Sequence, residues 1–159
     1  MTQRSEAFPE ISVVSPVYQA EKIVPELAKE ILRCLSPMTT SFEIVLVEDG
    51  SRDKSWQAIS QVCSEDPRIV GIRLSRNFGQ HDAITAGLAA SRGTWVVVMD
   101  CDLQDRPDQI PLLYAKALEG YETVCAQRVI RNDRHLKRYR HNYFTSCSVI
   151  SQKQSRTPR

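Results

Sequence analysis

No apolar run in this 159-residue sequence approaches the roughly 20 residues that a membrane-spanning helix needs. The opening stretch MTQRSEAFPE likewise contains no apolar signal core. The expectation is therefore a cytoplasmic chain without a transmembrane helix, free to attach to the cytoplasmic face of a membrane. The five cysteines (Cys34, Cys63, Cys101, Cys125 and Cys147) are scattered and include no C-x-x-C pair. Neither a disulfide framework nor a zinc site is suggested, and a reducing compartment fits. There is no G-x-x-x-x-G-K-[ST], which excludes a phosphate-loop ATPase, and no G-x-G-x-x-G after the first apolar stretch, which argues against a dinucleotide dehydrogenase. Cys101 has no obvious histidine partner, so burial is a better reading for it than nucleophilic attack.

What the sequence does contain is ordinary for one globular domain: 42% hydrophobic and 25% charged residues, enough to bury a core. The formal charge of +2 hides a division that appears when the chain is cut after Gln127. Residues 128–159 hold nine Lys/Arg and one Asp, a net of +8, against 12 Lys/Arg and 18 Asp/Glu before them, a net of −6.

Short runs rich in β-branched residues alternate with helical periodicity. ISVVSPV at 11–17 and FEIVLVEDGS at 42–51 end in turn residues, as buried parallel strands do. Between them Ile23, Leu27, Ile31, Leu32 and Leu35 predict a crossover helix over 21–35. The unit repeats as a helix around 53–64, a strand at 68–74, a helix near 80–91 and the strand WVVVM at 95–99. Pro107 and Asp108 then open another helix, and YETVCAQR at 121–128 closes as a fifth strand. This alternation predicts an α/β fold, a parallel sheet with helices on both faces. The expected divisions are a lead at 1–10, a domain at 11–128, a basic amphipathic helix at 129–147 and an irregular tail at 148–159.

In such a sheet, ligands bind beyond the carboxyl ends of the strands. Four strand ends carry candidate chemistry: Pro16-Val17-Tyr18, Glu48-Asp49-Gly50-Ser51, Arg76-Asn77-Phe78-Gly79 and Asp100-Cys101-Asp102-Leu103-Gln104. Strand alternation puts Asp100 and Asp102 on one side and Cys101 on the other, so two carboxylates face one point. That pair suits Mg²⁺ or Mn²⁺, with Gln104 adding or orienting a ligand; the alternative is an exposed acidic turn capping the helix at Pro107. Asp49 either accepts hydrogen bonds from a nucleoside or closes a plain turn, and Tyr18 either packs on a base or covers the sheet edge. Gly79, Ala83, Ala86, Gly87 and Ala90 read as a close-packing helix face, while Asn77 can hold neighbouring loops.

Taken together, SVVSPVYQAEKIVPEL, EIVLVEDGSRDKSW, LSRNFGQHDAITAGLAASRG and VVVMDCDLQDRPDQIPLL resemble the family 2 glycosyltransferases, in particular the branch acting on dolichyl or polyprenyl phosphate, over residues 11–138. The resemblance implies a GT-A (Rossmann-like) fold, a nucleoside-diphosphate sugar donor, a lipid-phosphate acceptor and inversion at the anomeric carbon. It assigns Pro16, Tyr18, Val47 and Asp49 to the nucleoside pocket, Asp100, Asp102 and Gln104 to the metal, and Arg128 to the diphosphate. Asp133 would stand near the reacting centre. The basic helix would meet the membrane interface and draw in the acceptor phosphate; a solvated basic face or nucleic-acid binding is the bland alternative. Two departures stand out. The family often has Asn-Glu after its first-strand tyrosine, where this chain has Gln19-Ala20, so an interaction with the donor is either missing or moved to Glu21. TSCSVISQKQSRTPR does not resemble the family's continuation, which leaves a shortened domain that binds nucleotide sugar without turnover as the alternative function.

Overall fold

Val and Ile dominate the two runs that become β1 (Ile11–Val17) and β2 (Phe42–Glu48), the composition of strands covered on both faces. All seven residues of each strand are buried, and they pair in parallel from Ile11 opposite Phe42 to Val17 opposite Glu48. The computed structural model describes residues 8–126 and 147–151. The connection is α1 (Val24–Leu35), whose Leu27, Ile31 and Leu35 recur every four residues and are fully buried. Truncating any one of them to alanine would cost about 2–5 kcal/mol. The helix starts three residues later than its periodicity predicts, because the backbone of residues 19–21 is hydrogen-bonded to side chains that follow β2.

The chain continues through α2 (Ser55–Glu65), β3 (Ile69–Arg73), α3 (Gln80–Ala90), β4 (Trp95–Met99), a 3-10 turn (Pro107–Gln109), α4 (Ile110–Leu118), β5 (Thr123–Cys125) and β6 (Cys147–Ser151). The sheet order is β3-β2-β1-β4-β6-β5. Strand alternation divides the core in two. Ile11, Val13, Val17, Ile44, Leu46, Val97 and Met99 face α1, α2 and α4, whereas Val14, Val45, Val47 and Val96 face α3. Gly87 lets α3 lie close on its face, since a Cβ there would stand 2.3 Å from Val14 Cγ1 and 3.1 Å from Val47 Cγ2.

The strand order reverses at β1. Successive connections carry the chain from β1 to β2 to β3, and α3 then brings it back across the opposite face to β4, beside β1. Loops diverge at such a switch point, so a crevice forms beyond the carboxyl ends of β1 and β4.

Two sequence expectations need correction. The fifth strand is shorter than YETVCAQR, spanning Thr123–Cys125; it pairs antiparallel with β6, which itself pairs antiparallel with β4, Val97 opposite Val149. Residues 148–151, expected in an irregular tail, and Cys147, expected on a helix, form that intervening strand. The reason is backbone satisfaction: an open β4 edge presents unpaired N–H and C=O groups, and the five-residue run CSVIS has enough β-propensity to pair with it. The remainder of the predicted basic helix lies outside the described residues. Among the described residues, no helix is long and apolar enough to cross a membrane.

Candidate functional site

A cleft of about 370 Å³ opens at the switch point. Pro16, Tyr18, Asp49, Asp100 and Asp102, all singled out from sequence, line it. The β1 end delivers Pro16 and the half-exposed Tyr18, β2 delivers Asp49, and β4 delivers the two acidic residues.

Asp49 is 2% exposed and holds the loop between β3 and α3. Its Oδ1 accepts the Phe78 N–H at 2.8 Å and its Oδ2 accepts the Gly79 N–H at 2.9 Å. Gly50 makes the approach feasible: it has φ +66°, and a Cβ there would stand 2.3 Å from the Asn77 nitrogen. Gly79, expected as a packing residue, instead lines the cleft at φ +101° with nothing within 4 Å of a would-be Cβ. Its backbone conformation is what demands glycine.

The β1–α1 and β2–α2 loops are laced together. Gln19 N–H donates to Ser51 Oγ at 3.0 Å, Ala20 N–H to Ser55 Oγ at 2.9 Å, Glu21 N–H to Asp53 Oδ2 at 3.2 Å, and Lys54 N–H to Glu21 Oε2 at 2.9 Å. Burial raises the Asp53 pKa, but the Ser55 hydroxyl and the Ser55 and Glu21 N–H groups outweigh it and hold the carboxyl below its ordinary value. Glu21 is thus engaged by the Lys54 backbone and lines a neighbouring hollow with Arg52 and Asp53, not the cleft. Gln19 adopts φ +50°, a left-handed conformation that asparagine tolerates better than glutamine.

After β4 the chain turns: Cys101 is buried against the core and also lines the cleft, between Asp100 and Asp102. Burial, reinforced by the charges of Asp102 and Asp100, pushes the Cys101 thiol up to about 12. A thiol raised in this way stays protonated at neutral pH. Asp102 Oδ1 accepts the Gln104 N–H at 2.9 Å across Leu103, which is held at φ +58°. The backbone of Gln104 therefore braces Asp102, while its exposed side chain is not among those lining the cleft. Gln80, at the start of α3, donates from Nε2 to Asp100 Oδ1 at 2.6 Å. Asp105, 6% exposed, accepts the Asp100 N–H at 3.4 Å.

Val47, which the family resemblance assigns to the nucleoside pocket, does not reach the cleft. It is fully buried under α3, because alternation that brings Asp49 to the opening leaves the residue two before it inside the same face. Arg128 and Asp133 lie outside the described residues. Sequence reasoning passes over Gln80 and Asp105: a polar residue opening a helix and a further acid in an acidic turn carry no spacing signal that distinguishes them from surface residues.

The described lining contains three aspartates and no Lys, Arg or His. Two aspartates from one turn, each held by a hydrogen bond on one oxygen, are a hard-oxygen donor set. Among the described residues no three His, Cys, Asp or Glu side chains converge for a metal. Two carboxylates nonetheless suit a Mg²⁺-like ion, which keeps several waters and takes phosphate oxygens in its remaining positions. The residues fit such an ion.

The profile of glycosyl transferase family 2 matches residues 12–158. An undecaprenyl-phosphate 4-deoxy-4-formamido-L-arabinose transferase from Shewanella sediminis is 45% identical over 130 residues, 81% of this chain and 39% of that protein. The protein of the same name from Proteus mirabilis is 39% identical over 129 residues, 80% of this chain and 40% of its own length. The chain thus spans about two fifths of the curated relatives it matches. Among solved structures, a mannosyltransferase from Pyrobaculum calidifontis in complex with GDP-mannose and Mn²⁺ superposes with a TM-score of 0.71 at 16% identity, covering 92% of this chain and 45% of that one. TarS from S. aureus in complex with UDP gives 0.59 at 23% identity, covering 81% and 38%. These two likenesses establish the GT-A fold.

Proposed function

The chain belongs to glycosyl transferase family 2, and from that premise we propose that its cleft binds a nucleoside-diphosphate sugar and serves inverting transfer of the sugar to a polyprenyl or dolichyl phosphate. The observation that carries this reading is the cleft at the switch point, where Asp49 and Tyr18 stand on one side and Asp100 and Asp102 on the other. Tyr18, 49% exposed, offers a ring face to a base, and Asp49 fixes the loop that closes that side.

The acidic lining alone would repel a diphosphate. Asp100 and Asp102 would hold Mg²⁺ or Mn²⁺, which when bound neutralises charge building on the departing diphosphate. Arg128, by its match to the family, would add a second positive group there, and Asp133 would stand near the reacting centre. An acceptor phosphate is already anionic and needs little help from a general base, so the absence of a histidine from the described lining is consistent with this chemistry. The basic residues after Gln127 suit attraction to a lipid phosphate at a cytoplasmic membrane face.

Titration calorimetry against UDP-, GDP- and dTDP-sugars, with and without Mg²⁺ or Mn²⁺, tests donor binding. Incubation with undecaprenyl phosphate in detergent then tests transfer. Metal-dependent binding with lipid-linked product supports the full reading. Metal-dependent binding without product would reduce the chain to a donor-binding domain, and indifference to metal in every donor titration would remove the reading.

A further inference from the structure

Resting on the donor-binding reading, the geometry points to Gln80 as a positioning residue for the metal site: its side-chain amide fixes Asp100, and the buried Asp49 fixes Gln80 through the intervening backbone. The bond from Gln80 Nε2 to Asp100 Oδ1, at 2.6 Å, is among the shortest side-chain hydrogen bonds around the cleft. A carboxylate following a strand can swing about two torsions. A donor on one oxygen removes most of that freedom and presents the other oxygen in a set direction.

Gln80 can serve this way only if the start of α3 is itself fixed. No side chain caps that helix from its N-cap residue, Gly79, which sits at φ +101°. The restraint comes from across the cleft, where both oxygens of Asp49 grip the N–H groups of Phe78 and Gly79, immediately before Gln80. Behind this segment Gly50 sits so close that a Cβ would meet the Asn77 nitrogen and the Arg76 carbonyl carbon at 2.3 and 2.4 Å. A continuous series thus runs from Asp49 through the 78–79 amides and Gln80 to Asp100. It joins the nucleoside side of the cleft to the metal side without passing through a ligand.

The test compares Mn²⁺ binding, followed by the electron paramagnetic resonance signal of free Mn²⁺, with and without UDP or GDP, whichever the calorimetric panel selects. Gln80→Met keeps the length of the side chain and removes the donor; Gln80→Ala removes both. Asp100→Asn serves as the site control. We expect Met and Ala to weaken Mn²⁺ binding alike, by roughly tenfold, the loss of a hydrogen bond to a charged group at a partly exposed site. The variants should stay folded, with no more than a small drop in melting temperature.

If Asp100→Asn abolishes Mn²⁺ binding while Gln80→Met retains the parent affinity, the positioning role is wrong and the donor-binding reading stands. If Gln80→Met matches the parent while Gln80→Ala does not, the side chain merely fills space, and the role is again wrong. If Asp100→Asn and the parent bind Mn²⁺ equally, both readings fall together.

Discussion

Each end of the sheet has a buried carboxylate bonded to the backbone of a distant loop, and the two are used differently. At the amino end, Glu43 is 3% exposed; its Oε1 accepts the Ser12 hydroxyl at 2.8 Å and the Arg92 N–H at 2.7 Å, and its Oε2 meets Arg92 Nε at 3.3 Å. Gly93 N–H closes the knot on Ser12 Oγ at 2.7 Å. At the carboxyl end, Asp49 accepts two amides and lines a cleft. The first clamp is completed by a cation and a hydroxyl from the chain itself. The second stands among further acids, with Gln19 in a left-handed conformation in the same lining and Leu103 left-handed in the turn after β4. Burial of a carboxylate therefore says little about function until its partners are known.

Substitutions can break this contrast. Glu43→Ala strands Ser12 and Arg92 and should cost about 3 kcal/mol of stability in urea unfolding, with donor affinity unchanged in the folded protein. A large loss of affinity at that distance would blur the distinction between the two ends. Asp102→Asn should do the reverse, weakening metal-dependent nucleotide binding on the order of 100-fold in calorimetry at an unchanged melting temperature.

Gly50→Ala acts on both properties, because the new methyl group pushes on the backbone segment that Asp49 holds. It should cost about 2 kcal/mol and weaken nucleotide binding; Gly120→Ala, at φ +108° with nothing nearby, should cost only about 1 kcal/mol and leave binding alone.

Titration separates the ends more gently. Cys101 lies beside the cleft, and Tyr114, hydrogen-bonded to Glu10, lies near the amino end of β1; burial, aided in each case by acidic neighbours, pushes both up to about 12. A raised folded-state pKa contributes stability that is complete below the unfolded value and fades as pH climbs toward the folded one. Melting temperature should therefore fall as pH rises from 9.0 toward about 12 for the thiol and from 10.0 for the phenol. Cys101→Ala should flatten the first part of that decline. The smallest effect belongs to Gln19→Asn, which relieves a residue at φ +50° and should stabilise by about 0.5 kcal/mol.

Much of this is legible in the amino acids. Alternation of β-branched runs with helical periodicity places β1 to β4 and α1 to α4 within a few residues, since side-chain spacing of two or of three to four is written locally. It also brings the acidic end of β4, Asp100 and Asp102, to the cleft. That Val47 is fully buried is not legible from its place in the family pattern, which does not say which face of a strand opens to solvent. β6 escapes a reading of the sequence because a five-residue run pairs only when another strand presents an unfilled edge.

By itself, then, the sequence determined the layered α/β frame and the presence of acidic strand ends, because those depend on neighbours a few residues apart. Only the tertiary structure decided that Asp49 grips residues 29 and 30 positions away, and that Gln80 reaches an aspartate 20 positions on. It also decided that Glu21 turns from the cleft to the Lys54 amide. Hydrogen-bond partners are chosen by where loops meet after the sheet has assembled, and no spacing along the chain encodes that meeting.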